Sequence, residues 1–171
     1  MNLIDFVKET LEISTIIGDV LIFLIIFYIF FYRKKTNFLR KNAKFFALII
    51  SIIATLGSLF YSEIAGFTPC KLCWYQRIFM YTLPILMIIG LLKKDKNNPI
   101  YVITLGIIGA TISSYHYITQ ILNNSNVCSI GSVSCLDKIP FSYGYITIPM
   151  MALTAFLLII LLNYISKINR E

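Results

Sequence analysis

Apolar residues in this chain come in long blocks, without the alternation of a half-buried strand or the one-sided stripe of a soluble helix. Five runs, approximately Ile13–Phe31, Phe45–Gly66, Trp74–Leu92, Pro99–Leu122 and Ile146–Ile165, are almost free of charge. Each is close to the ~20 residues that a helix needs to cross a bilayer. In lipid a helix also satisfies its own backbone hydrogen bonds. The pattern therefore predicts an all-α integral membrane protein with five spans. Pro99 suits a helix start, while Pro84 and Pro149 are expected within spans, kinking them. The polar connections are short, at 33–44, 67–73, 93–98 and 123–145. The longest carries Asn123-Asn124-Ser125-Asn126 and Gly131, a composition suited to a functional loop. It ends in the aromatic stretch Ile139–Tyr145, which fits a membrane interface.

Composition excludes a soluble domain. Of 171 residues, 58% are hydrophobic and 13% charged, against about a quarter charged in soluble proteins. A net charge of +7 raises the question of nucleic acid or acidic lipid, but its distribution answers it. Arg33, Lys34, Lys35, Arg40, Lys41, Lys44, Lys93, Lys94, Lys96, Lys167 and Arg170 fall on one side of the predicted spans, and only Lys8, Lys71, Arg77 and Lys138 on the other. Basic loops stay cytoplasmic, so the N-terminus is expected outside and the C-terminus inside. The acidic flank of the first run (Asp5, Glu9, Glu12) has the wrong sign for a cleaved signal, which predicts a retained helix.

Four cysteines then carry the chemistry. Cys70 and Cys73 stand in Thr68-Pro69-Cys70-Lys71-Leu72-Cys73-Trp74-Tyr75-Gln76-Arg77, and Cys128 and Cys135 in the long loop. The charge pattern puts all four on the extracytoplasmic face, where disulfides form and persist. Three pairings are open to four cysteines; local spacing favours Cys70–Cys73 and Cys128–Cys135. A Cys-x-x-Cys ring is small and gains little from loop entropy, so it suits redox exchange better than stapling. Cys73 is expected just before the third span, where free amides and the helix dipole favour a thiolate. Arg77 follows one turn later on the same face, and a guanidinium at that depth is costly without a role or partner. Zinc is the weaker reading, because metal fingers pair two tight Cys units and six residues separate Cys128 from Cys135. A structural membrane subunit with two static disulfides is the main alternative.

His116 is the sole histidine, towards the outer end of the fourth run, with Gln120 four residues on and sharing its face. It is either a hydrogen-bonded core residue or a donor to a carbonyl oxygen of a ligand at the depth of Arg77. Glu63 and Asp19 lie near outer helix ends, where Glu63 is expected to pair with a base and Asp19 to cap a polar edge.

The stretch Ser58-Leu59-Phe60-Tyr61-Ser62-Glu63-Ile64 leading into Cys70-Lys71-Leu72-Cys73-Trp74-Tyr75-Gln76-Arg77 resembles the DsbB/BdbC family of membrane disulfide bond formation proteins. His116 with Gln120 resembles its His-x-x-x-Gln, and Ile146-Thr147-Ile148-Pro149 the start of its last helix. The likeness covers roughly residues 45–165 and is nearest the BdbC branch. It implies a four-helix thiol:quinone oxidoreductase, spanning 45–171, that reoxidises a secreted thioredoxin-fold partner of the DsbA/BdbD kind and passes electrons to menaquinone or ubiquinone. Carried over by position, Cys128 meets the partner, Cys135 completes the loop pair, Cys70 exchanges with the loop, and Cys73 faces the quinone. Arg77 and His116, with Gln120, correspond to residues beside the quinone ring. Vitamin K epoxide reductase-like enzymes do related chemistry, but their loop cysteines precede the Cys-x-x-Cys. The chain departs from the family in residues 1–44, an extra helix and a basic loop.

Overall fold

The computed structural model of the chain describes residues 3–31, 37–122 and 144–168. Cys128, Cys135 and the basic trio Arg33, Lys34 and Lys35 lie outside the described residues. Five helices account for nearly all of the rest: α1 (Leu3–Phe31), α2 (Asn37–Leu59), α3 (Lys71–Leu92), α4 (Asn98–Ile121) and α5 (Ile148–Ile168). All five are long and apolar enough to cross a membrane, and among the described residues there is no strand. The protein is a multi-pass membrane protein.

Helix α5 is the central post, packed against each of the other four. Its residues Phe156, Ile159 and Leu162 meet Leu83 and Met87 of α3 and Val102 of α4 in the buried core. The α4–α5 seam is the most extensive and is closely packed. A Cβ on Gly109 would overlap the Phe156 ring, and one on Gly106 would stand 2.8 Å from Ile160 Cγ1. Small residues let membrane helices approach closely, and packing of this kind replaces the missing hydrophobic drive between helices in lipid. The outer surface is apolar instead: Phe23 and Leu92 are 75% and 79% exposed, an arrangement suited to acyl chains.

The helix limits differ from the sequence expectation in two instructive places. Helix α1 begins at Leu3, ten residues ahead of the apolar run, because Lys8, Glu9 and Glu12 are good helix formers although they are polar. Pro149 is the second residue of α5, not an interior kink; in the first turn its missing N–H costs nothing. Pro84 does lie inside α3, and Pro99 opens α4 as expected.

Helix α2 passes through a single π turn, Phe60–Ile64, before reversing towards α3. The reversal uses Gly66 at φ +72°, a left-handed conformation that glycine adopts without penalty. It returns the chain so that the Phe67 amide donates to the Tyr61 carbonyl at 2.9 Å and the two rings pack. Pro69 and Cys70 follow directly. The site is thus delivered by a tight, internally bonded turn.

Candidate redox site

Cys70 is the N-cap of α3, in an extended conformation, and its carbonyl accepts from the Trp74 amide at 3.1 Å. Cys73 is therefore inside the first turn, whereas the apolar run alone places it ahead of the helix. Both cysteines are free thiols, and their sulfurs are hydrogen-bonded 3.2 Å apart. The Cys-x-x-Cys spacing produces this, since residues at an N-cap and three positions later share one face.

Cys70 is buried and touches α4. Its Sγ lies 3.8 Å from His116 Nε2, and the other ring nitrogen, Nδ1, is 3.4 Å from Gln76 Nε2. His116 is 1% exposed and Gln76 4%, so this imidazole is fixed from both sides. The Cys70 thiol is held far below the ordinary cysteine range, at about 4. The hydrogen bond from the Cys73 thiol is the main cause; burial opposes it, and the contacts with His116 reinforce it. Cys70 is thus the proton-poor member of the pair, where helix position alone suggests Cys73. Thiolate is the form that attacks disulfides.

Arg77 lies one turn beyond Cys73 and reaches back to α2. Its Nε donates to Ser58 Oγ and its Nη2 to the Ser58 carbonyl, both at 3.1 Å. Tyr81 donates its hydroxyl to the same Ser58 Oγ at 3.1 Å. The guanidinium also stacks on Trp74, 5.4 Å from the ring centroid. These contacts supply the partners that a cation at this depth requires.

The dithiol opens on a cavity of about 580 Å³ between α1, α2 and α5, within the roughly 300–1,000 Å³ of small-molecule sites. Cys70, Cys73, Gln76, Arg77, His116 and Gln120 all stand on its wall. The rest of the lining is mainly aliphatic, with residues such as Ile50, Ile53, Met80 and Leu158. Thr147 adds a buried hydroxyl that has no hydrogen-bond partner among the described residues. An aliphatic cavity with a few convergent donors fits a flat, apolar molecule bearing carbonyl oxygens. The two sulfurs and a ring nitrogen of His116 also lie within 4.8 Å of one another, a spacing at which a thiophilic metal could be gripped.

Sequence reasoning named seven candidate residues: Cys70, Cys73, Arg77, His116 and Gln120 come together, and Cys128 and Cys135 fall outside the described residues. It gave no role to Gln76, Ser58 or Thr147. The only local hints were polar side chains in otherwise apolar runs. Asp19 was expected to cap a polar edge; it instead accepts from Thr154 Oγ1 of α5 at 2.7 Å. Glu63 accepts from Ser62 Oγ at 3.1 Å.

Residues 40–166 match the family described as "Disulfide bond formation protein DsbB". The SPbeta prophage-derived disulfide bond formation protein B of Bacillus subtilis (strain 168) is 52% identical over 124 residues, 70% of this chain and 83% of that protein. Disulfide bond formation protein C of the same strain is 42% identical over 125 residues, 70% of this chain and 88% of that protein. Probable disulfide formation protein C 1 of Bacillus anthracis is 42% identical over 133 residues, 77% and 96% of the two chains. No solved structure matches. A thiol pair at the start of a membrane helix, and a match over about three quarters of the length, lead to one assignment: the chain belongs to the DsbB family of disulfide bond formation proteins.

Proposed function

We propose that this protein is a protein-disulfide:quinone oxidoreductase of the extracytoplasmic face, which reoxidises a thioredoxin-fold dithiol partner and delivers the electrons to membrane quinone. The observation that carries the reading is the adjacency of the Cys70–Cys73 pair to an aliphatic cavity walled by Arg77, His116 and Gln120. Partner oxidation begins in the loop: a partner thiolate attacks Cys128 of the Cys128–Cys135 disulfide, Cys135 leaves as a thiolate, and the partner's second thiol then displaces Cys128 to close the partner's own disulfide. Cys70 and Cys73 then take the electrons from the reduced loop pair by a second exchange. Regaining the Cys70–Cys73 disulfide releases two electrons and two protons, and a quinone held by Arg77, His116 and Gln120 would supply the two-electron, two-proton acceptor.

The chain's own residues have distinct tasks. The Cys73 thiol and His116 keep Cys70 ready to ionise, and Gln76 fixes the imidazole. Arg77, anchored by Ser58, presents positive charge where a carbonyl oxygen gains electron density. Charge-assisted contacts of this kind contribute about 1.5–3 kcal/mol. Gln120 and the Thr147 hydroxyl offer further hydrogen bonds. The basic residues at the opposite end support an outward-facing dithiol by the positive-inside rule.

The test is reoxidation of a reduced thioredoxin-fold protein by the purified chain. Turnover should require added menaquinone or ubiquinone, and a reduced partner that lacks its second cysteine should be trapped as a mixed disulfide on Cys128, with Cys135 released as a thiol. An impermeant thiol reagent should label the cysteines in intact, reduced cells. A static-disulfide subunit would be labelled in the same way but would show neither quinone-dependent turnover nor the mixed disulfide. A zinc-holding reading draws on the Cys70–Cys73–His116 cluster; it predicts that purified protein carries about one zinc per chain and ignores quinone.

A further inference from the structure

Helix α1 lies outside the family match, which begins at residue 40, yet it builds one side of the cavity. Leu11, Ser14, Thr15, Ile17, Gly18 and Leu21 line it, and residues 11 to 21 span about 15 Å of helix. The Leu11 end is level with the redox centre. A Cβ on Gly57 would lie 3.4 Å from Leu11 Cδ1, and the next residue, Ser58, is the one that holds Arg77. From there the wall runs away from the dithiol to Gly18, where a Cβ would meet Thr154 Cγ2 at 2.8 Å, and on to Leu21. Asp19 pins the helix to α5 through Thr154.

The chemistry of this wall differs from the rest. Its two hydroxyl protons are taken up by its own backbone: Ser14 donates to the Thr10 carbonyl and Thr15 to the Leu11 carbonyl, each at 2.8 Å. What α1 presents to the cavity is aliphatic. The donors fitted to carbonyl oxygens, Arg77, Gln120 and Thr147, stand on α3, α4 and the approach to α5. A ligand with a polar ring and a long apolar tail is therefore offered its ring contacts at the dithiol end and an aliphatic channel beyond them.

We infer that α1 is the seat of the quinone's prenyl tail, so that residues 11–21 add a chain-length determinant to the acceptor site. The inference rests on the quinone reading proposed above. Trp74, the sole tryptophan, stacks on the cavity-wall residue Arg77 and gives a binding signal independent of turnover. The experiment titrates Trp74 quenching in the purified full chain with menadione, which has no tail, and with menaquinone-4, which has four prenyl units. Thr15→Phe narrows the wall at a buried position, and Leu21→Phe does so at a half-exposed one. Both should raise the dissociation constant for menaquinone-4 about tenfold and leave that for menadione within about twofold. Retained menadione binding reports an intact ring site in each variant. Equal weakening of both quinones, or no change in either, overturns the tail assignment while the quinone reading stands. If neither quinone is bound by the unaltered chain, the quinone reading itself falls, and the inference with it.

Discussion

The α4–α5 seam and the space between α1, α2 and α5 are built from the same kinds of residue to opposite ends. In the seam, glycines meet large side chains: Gly109 faces Phe156 and Gly106 faces Ile160, with no room for a methyl group. Across the cavity the contacts are looser where it opens: a Cβ on Gly57 would meet Leu11 only at an ordinary 3.4 Å, and with Ala54 nearby about 580 Å³ is left between the helices. The seam holds His116 at a fixed height against Cys70. The cavity leaves a volume that the protein itself does not fill. One side of the bundle therefore sets the geometry of the sulfur chemistry, and the other provides room for whatever receives its product.

That contrast is open to direct attack, beginning where the effect should be greatest. Cys70→Ser or Cys73→Ser removes one sulfur of the pair and should lower quinone-dependent turnover by at least about a thousandfold, measured as reoxidation of a reduced thioredoxin-fold protein. Arg77→Ala should slow the quinone step about ten- to a hundredfold and raise the apparent Michaelis constant for quinone, while exchange through Cys128 continues. Arg77→Lys keeps the charge but not the planar fork and should be milder. Normal quinone reduction by Arg77→Ala would leave the residue a packing feature alone.

A matched pair of enlargements separates the two regions. Gly109→Leu forces a side chain into the Phe156 ring and should lower the midpoint of thermal unfolding by about 5–10 °C, the consequence of roughly 1–3 kcal/mol of overpacking. Ala54→Leu grows into the cavity and should leave that midpoint within about 2 °C while weakening quinone binding about tenfold. If both variants unfold alike, the cavity is packing space and not a binding site.

The smallest effect concerns pH. Because the Cys70 thiol is held at about 4, it is already ionised through the neutral range and loses its charge only as pH falls towards that value. Its alkylation by iodoacetamide should change less than about threefold between about pH 5.5 and 8, where an ordinary thiol near 8.5 rises about tenfold per unit. The groups facing it are Cys73 and His116. Cys73→Ala removes the donated hydrogen bond and should restore the steep profile more fully than His116→Ala, following the order of their influence. A steep profile in the unaltered chain would remove the case for a primed Cys70.

How far these features could be read from sequence depended on whether their cause was local. The spans were legible because lipid demands unbroken apolar segments, and the helix ends less so, because Lys8 and Glu12 continue a helix that hydropathy stops at Ile13. The Cys70–Cys73 pair and Arg77 could be anticipated, since their spacing along one helix fixes their neighbourhood. Gln76 could not be given a role: it acts through His116, on another helix, and its own run shows only that a polar side chain is there. Helix α1 shows the limit most clearly. Its bond from Asp19 to Thr154 joins residues 135 positions apart, and only packing reveals that a segment beyond the family match lines the same cavity as the cysteines.

The central claim is that electrons leave the Cys70–Cys73 dithiol directly into this cavity. The most direct measurement is a single anaerobic turnover of the chain carrying Cys128→Ser and Cys135→Ser, reduced and then mixed with one equivalent of quinone. The account predicts the loss of two thiols and one quinone per chain, with hydroquinone appearing at the same rate as the Cys70–Cys73 disulfide. Thiols that stay reduced in the presence of quinone would contradict it.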